Sequence, residues 1–114
     1  MSWRGANGLR PWLMQRLSAV YMAGFLLFAL GSLAGASSVS FEAWRDWVGQ
    51  PLVNAAMALF VVALLTHAWV GTRDVLMDYV KPMALRFPLL LLFALIFLIS
   101  LFWSLRVLFS VAAA

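Results

Sequence analysis

The stretch that decides the fold is residues 47–72, WVGQPLVNAAMALFVVALLTHAWVGT, which contains no Asp, Glu, Lys or Arg in 26 residues. Two other stretches share this property, one of 25 residues at 17–41 and one of 19 residues at 87–105. A helix needs about 20 mostly apolar residues to cross about 30 Å of hydrocarbon, so each stretch is long enough for one crossing. The sequence therefore predicts an all-α membrane protein, a single domain over 1–114 with three transmembrane helices at about 15–36, 51–72 and 87–108.

The composition of the whole chain excludes an ordinary soluble domain. Of the 114 residues, 66% are hydrophobic and 11% are charged, which is too little polar material to cover a small domain in water. We expect the lipid bilayer as solvent. The net charge of +4 is too sparse for a phosphate-binding surface, so nucleic acid is not an expected partner. Because the chain lacks cysteine, it has no disulfide, thiolate-bound iron–sulfur cluster or covalent c-type haem.

The positions of the basic residues predict the orientation of the chain. Six precede the first span or lie between the second and third, whereas two lie in the other flanking segments. The first group is Arg4, Arg10, Arg16, Arg73, Lys81 and Arg86, and the second is Arg45 and Arg106. Since short cytoplasmic segments carry the excess of Lys and Arg, we expect a cytoplasmic N-terminus and a periplasmic C-terminus.

Local signals predict where helices begin. Pro51 and Pro88 stand near the starts of the second and third spans, where proline suits the first turn, and we interpret both as start signals. Ser40 is an expected N-cap for a short interfacial helix at about 41–48. Three apolar residues recur there at helical spacing, namely Phe41, Trp44 and Val48.

The first span also has the outline of a secretory signal, because a basic segment and an apolar run precede the small residues Ala34-Gly35-Ala36. The apolar run at 17–33 is longer than the usual core of a signal, which has about 7–15 residues. We therefore expect a retained span.

His67 is the only histidine and lies inside the second uncharged stretch. An ionisable residue within a span predicts a functional site, whereas the structural alternative is a neutral histidine bonded to a carbonyl of a neighbouring helix. Position alone favours neither. Gly71, Asp74 and Asp78 follow at i+4, i+7 and i+11, so a continuous helix would place them on one stripe with His67.

The members of this stripe also have two interpretations. Gly71 would let a flat macrocycle or another backbone approach, or it could be a helix-packing glycine. For Asp74 we expect a solvated charge paired with Arg73 or Lys81.

Imidazole in a helical bundle is the usual ligand of a b-type haem, which needs no cysteine. Since the chain has one histidine, we expect the second axial ligand to come from a partner subunit, although the six methionines are candidates in principle. Arg16, at the start of the first span, is the candidate contact for a haem propionate, and its alternative role is to extend to the interface as an ordinary snorkelling side chain.

Three segments together resemble the hydrophobic membrane anchor subunit of bacterial succinate dehydrogenase, which is respiratory complex II, and the similarity covers the whole chain. They are Gln15-Arg16-Leu17-Ser18-Ala19, His67-Ala68-Trp69-Val70-Gly71 and Asp78-Tyr79-Val80-Lys81-Pro82. The resemblance implies half of a heterodimeric haem-binding bundle in the bacterial cytoplasmic (inner) membrane. The implied partners are the cytochrome b556 subunit, which supplies the second haem ligand, the iron–sulfur subunit and the flavoprotein subunit.

Carried over residue by residue, the resemblance implies that His67 is the axial ligand of the iron of haem b, that Gly71 packs against the haem and that Arg16 contacts a propionate. It implies that Tyr79 and Asp78 bind ubiquinone. Without the resemblance, Tyr79 would be read as an ordinary interfacial tyrosine.

The implied function is that of a membrane anchor subunit of succinate:ubiquinone oxidoreductase, in the respiratory chain and tricarboxylic acid cycle, with no catalytic residue in this chain itself. A fumarate reductase-type anchor, a small self-associating membrane transporter and a purely structural anchor are the alternatives.

Overall fold

The computed structural model describes residues 2–113, and their side chains from Leu9 onward. This part of the chain forms four helices and no strand: α1 (Ser2–Ala34), α2 (Phe41–Gly49), α3 (Pro51–Tyr79) and α4 (Met83–Ala113). The side chain of Arg4, which contributes to the predicted orientation, lies outside the described residues.

Three of the helices are long and apolar enough to cross a membrane. These segments are Leu9–Ala34, Pro51–Tyr79 and Met83–Ala113, and they confirm the predicted all-α class with three membrane helices. The predicted first span runs to residue 36, two residues beyond the end of α1. The 29 residues of α3 extend over about 43 Å, more than the hydrocarbon thickness of about 30 Å, so one or both ends of α3 reach the polar zone.

The helices are arranged around α3. Both α1 and α4 pack against it, while α2 lies against α3 and α4. Within residues 2–113 the backbones of α1 and α4 do not approach each other. The bundle measures 54 × 27 × 20 Å, and most of its large apolar side chains are exposed, as expected for a protein whose solvent is lipid.

Two polar side chains join the helices away from His67. The Asn54 amide is buried and donates to the Val48 carbonyl at 3.1 Å and to the Leu108 carbonyl at 2.9 Å. The Tyr21 hydroxyl donates to the Ala56 carbonyl at 2.6 Å. Such bonds stabilise helix contacts in lipid, where no water competes for them.

The interpretation of Pro88 as a start signal for the third span is wrong. The helix begins at Met83, and the carbonyl of Pro82 accepts a hydrogen bond from the Arg86 amide at 2.9 Å in the first turn. Pro88 therefore lies inside α4, where it removes one backbone donor. The reason for the error is that α4 extends beyond the charge-free stretch, so the start of that stretch does not mark the start of the helix. Pro51, in contrast, occupies the first turn of α3.

The short helix α2 has the predicted cap but a different apolar face. The Ser40 hydroxyl accepts a hydrogen bond from the Ala43 amide at 3.1 Å, which is the expected N-cap contact. Phe41 and Trp44 are exposed, whereas Val48 is only 1% exposed. Val48 therefore belongs to the core that α2 shares with α3 and α4, so only the other two residues are available to a membrane interface.

Candidate functional site

His67 is half-buried on α3 and contacts α1 through one ring nitrogen. Its Nδ1 lies 3.2 Å from the Gln15 carbonyl oxygen and 3.3 Å from the Ser18 hydroxyl oxygen. The Ser18 hydroxyl in turn donates to the same Gln15 carbonyl at 2.8 Å. Among the described residues the other ring nitrogen, Nε2, has no hydrogen-bond partner.

The structure thus shows the carbonyl contact that the structural alternative for His67 predicted. This contact does not exclude metal ligation, because a metal-bound histidine almost always donates its other ring N–H to a carbonyl, carboxylate or water. Held through Nδ1, the imidazole of His67 keeps Nε2 available.

A shallow, largely open groove of about 480 Å³ lies beside His67. Its walls come from three helices: Gln15 on α1, His67, Gly71 and Thr72 on α3, and Phe93 on α4. A Cβ atom at position 71 would lie 3.5 Å from the Gln15 side-chain nitrogen, which is ordinary van der Waals contact. Packing inside this chain therefore does not require glycine at 71, and the alternative of a helix-packing glycine has no support within the described chain.

Arg16 is exposed, and its guanidinium carbon lies 4.7 Å from the centre of the Trp12 ring. This distance is within the range of a cation–π interaction. Within the described residues, Arg16 has no ion pair and no side-chain hydrogen bond. The ring of Trp12 therefore restrains the guanidinium, whose N–H donors stay available to an anionic group.

Asp78 and Tyr79 occupy the last turn of α3, and both are exposed. Tyr79 is 80% exposed, and neither side chain has a hydrogen-bond partner among the described residues. The structure does not bring these two residues into the groove beside His67, whose wall on α3 extends only to Leu76. The predicted haem residues His67 and Gly71 therefore lie at a different place on α3 from the predicted quinone residues.

Arg86 is a residue of this region that the sequence analysis counted only as a topology signal. Its Nε donates to the Val80 carbonyl at 2.9 Å, and its Nη2 donates to the Met77 carbonyl at 3.3 Å. The last carbonyls of a helix lack partners within the helix, and a basic side chain commonly supplies them. Arg86 thus fixes the end of α3 that carries Tyr79. A basic residue shortly after a helix terminus was the available signal.

Asp74 pairs with Arg73, whose Nη2 lies 3.5 Å from the Asp74 carboxylate, and both side chains are substantially solvent-exposed. This confirms the expected solvated pair. An exposed pair of this kind contributes little to stability.

A bundle of three apolar helices, with a half-buried imidazole inside it and charges at its ends, defines a multi-pass membrane protein with a candidate ligand groove. Within that class, the chain belongs to the succinate dehydrogenase/fumarate reductase transmembrane subunit family, whose model matches residues 2–107. It is 24% identical over 100 residues to the succinate dehydrogenase hydrophobic membrane anchor subunit of Coxiella burnetii (strain RSA 493 / Nine Mile phase I), an alignment that covers 88% of this chain and 87% of that relative.

These comparisons confirm the resemblance found in the sequence. The chain is a transmembrane subunit of an oxidoreductase complex of the succinate dehydrogenase/fumarate reductase kind. Membership of this family weighs against the alternative of a self-associating transporter.

Proposed function

We propose that this chain is the anchor subunit of a succinate:ubiquinone oxidoreductase, that it shares one b-type haem with a cytochrome b556 subunit, and that it contributes to the ubiquinone-reduction site. The observation that carries the proposal is the setting of His67, which lines the groove and whose Nδ1 lies 3.2 Å from the Gln15 carbonyl, while Nε2 has no partner among the described residues. This is the arrangement of an imidazole prepared for a metal.

The residues of the groove fit a haem b. When bound, such a haem supplies one-electron redox chemistry. His67 would hold the iron through Nε2, and Gly71, one helical turn away, puts no side chain of its own on the groove wall. The Arg16 guanidinium, which has no carboxylate partner among the described residues, would neutralise a propionate. A second ligand of the iron would come from the cytochrome subunit, since this chain has one histidine.

Tyr79 and Asp78 supply the two kinds of group that quinone reduction needs. The reaction consumes two electrons and two protons, so the site requires a donor to a carbonyl oxygen and a path for protons from water. The Tyr79 hydroxyl would donate to the carbonyl oxygen, and the exposed Asp78 carboxylate would exchange protons with solvent. The high exposure of both side chains supports a pocket that is completed by a partner subunit.

The remaining parts of the pathway belong to partners. Succinate would be oxidised at a flavin in the flavoprotein subunit, and electrons would reach the membrane through the iron–sulfur subunit. In the bacterial inner membrane, the predicted orientation puts the connection between α3 and α4 on the cytoplasmic side, where these subunits would dock. The alternative function, a fumarate reductase-type anchor, rests on the matched family, whose description includes both enzymes. Its direction of reaction would be set by those partners.

The test of haem ligation is the replacement His67→Ala in the purified complex. We expect a changed or missing b-type haem absorption band, with succinate oxidation by an artificial acceptor retained. Thr66→Ala is the matched control, because Thr66 is the preceding residue on α3 and does not line the groove. A haem spectrum that His67→Ala leaves unchanged would exclude His67 as the ligand.

A further inference from the structure

We infer that Ser18 is a positioning residue for His67: its buried hydroxyl, together with the Gln15 carbonyl, fixes which ring nitrogen carries the proton and how the imidazole is oriented. This inference rests on the proposed function, in which His67 binds the iron of a haem. It concerns α1, a helix that contributes no iron ligand.

The positions of the protons follow from the contacts among three atoms: the Ser18 hydroxyl oxygen, the Gln15 carbonyl oxygen and Nδ1 of His67. The Ser18 hydroxyl directs its proton to the Gln15 carbonyl at 2.8 Å, so its oxygen faces the imidazole with a lone pair. The carbonyl oxygen can only accept. Nδ1 of His67 therefore faces two acceptors, at 3.2 and 3.3 Å, and must itself be the donor.

A neutral imidazole carries one proton, so a protonated Nδ1 leaves Nε2 with its lone pair exposed. That lone pair is what an iron atom requires. Without fixed acceptors at Nδ1 the ring could adopt the other tautomer, whose protonated Nε2 does not bind a metal. The two α1 oxygens thus select the form of His67 that can act as a ligand.

Ser18 is difficult to replace by solvent in this role. The side chain is 8% exposed and lies within the membrane segment Leu9–Ala34. Because the hydroxyl is buried, water does not readily reach it to replace a lost hydrogen-bond acceptor. Loss of the groups that orient a metal ligand typically costs about 10–100-fold in metal affinity or activity.

The experiment compares Ser18→Val with Ser18→Thr in the purified complex. The two introduced side chains are nearly the same size, so they disturb packing equally. A helical threonine can still direct its hydroxyl to the carbonyl three or four residues earlier, whereas valine has no hydroxyl. The measurements are the rate at which haem transfers to excess apomyoglobin and the electron paramagnetic resonance spectrum of the oxidised haem.

We expect Ser18→Val to release haem about 10-fold faster than the parent complex and to shift the resonance spectrum. Ser18→Thr should behave like the parent complex in both measurements. If Ser18→Val prevents assembly, Ser18→Ala replaces it in the comparison, because alanine removes the hydroxyl without adding volume. We expect Ser18→Ala to produce the same faster haem release and the same spectral shift. Equal behaviour of the threonine variant and the variant without a hydroxyl would overturn the inference, whether both match the parent complex or both depart from it.

The parallel His67→Ala variant separates failure of this inference from failure of the proposed function. If His67→Ala alters the haem spectrum while the Ser18 variants do not differ, only the role of Ser18 is refuted. If His67→Ala leaves the spectrum unchanged, the haem assignment itself is refuted, and with it the inference about Ser18.

Discussion

Replacement of Tyr79 by phenylalanine isolates the hydroxyl proposed to bind a quinone carbonyl. The side chain is 80% exposed and its hydroxyl has no partner among the described residues, so its loss removes no hydrogen bond seen in this subunit. The ring, which phenylalanine retains, still supplies the apolar contacts. We therefore expect normal assembly and a normal haem content, with a defect confined to the reaction with quinone.

The size of the defect follows from the loss of one neutral hydrogen bond. Such a bond contributes about 0.5–1.5 kcal/mol net. With about 1.4 kcal/mol for each factor of ten, kcat/KM for ubiquinone should fall by about 2- to 12-fold. A larger loss would indicate that the hydroxyl also transfers a proton in the rate-limiting step.

The assay compares succinate-driven reduction of a short-chain ubiquinone with reduction of an artificial acceptor that takes electrons before the membrane domain. Tyr21→Phe is the matched control, because the chain has two tyrosines and the Tyr21 hydroxyl donates to the Ala56 carbonyl inside the bundle. We expect Tyr21→Phe to lower thermal stability and to leave quinone kinetics unchanged. Unaltered quinone kinetics in Tyr79→Phe, or equal losses with both acceptors, would refute the proposed contact.

Two further predictions concern residues that hold the framework. Arg86→Gln should lower kcat/KM for ubiquinone by about 2- to 10-fold without changing the haem spectrum, because the two guanidinium contacts to carbonyls at the end of α3 are lost. Arg10→Gln is the control. Quinone kinetics that are the same in the Arg86→Gln and Arg10→Gln variants would contradict the role of Arg86. Asn54→Leu removes two bonds between helices, each worth about 0.6 kcal/mol in membrane proteins, so detergent-induced unfolding should be easier by about 1 kcal/mol. Ser100→Ala loses a hydrogen bond within α4 alone and should leave the unfolding midpoint nearly unchanged. An equal shift in the Asn54→Leu and Ser100→Ala variants would contradict the role of Asn54 in joining the helices.

The three long helices were predictable from the sequence because lipid imposes a simple rule. A segment that crosses hydrocarbon must satisfy its backbone within a helix and exclude charge, so charge-free stretches mark the spans. The same rule says nothing about where a helix ends outside the membrane, and this is why Pro88 was misplaced. Val48 was misjudged for a related reason, since an apolar residue at helical spacing can face lipid or protein, and periodicity alone does not distinguish them.

The candidate site was predictable only in part. The sequence singled out His67, because a lone ionisable residue in a span is conspicuous. It could not reveal the acceptor that holds the ring, because the acceptor is the backbone carbonyl of Gln15, which every residue type possesses. The role of Ser18 depends on a contact at a sequence separation of 49 residues, which no local pattern encodes. For Arg86, whose contacts are 6 and 9 residues away, the position after the end of a helix was a local signal that the sequence analysis did not use.

The open arrangement of the bundle supports the proposal that His67 serves a ligand. Nδ1 of His67 contacts α1, whereas Nε2 has no partner among the described residues, and His67 lines the groove. Hydrocarbon offers no donor, and an unpaired polar atom there carries a free-energy cost. Lipid alone therefore cannot satisfy the ring. A haem iron can, and the same open face of α3 that exposes the groove leaves room for a second subunit to enclose the haem, which is why we propose a site between two chains rather than within one.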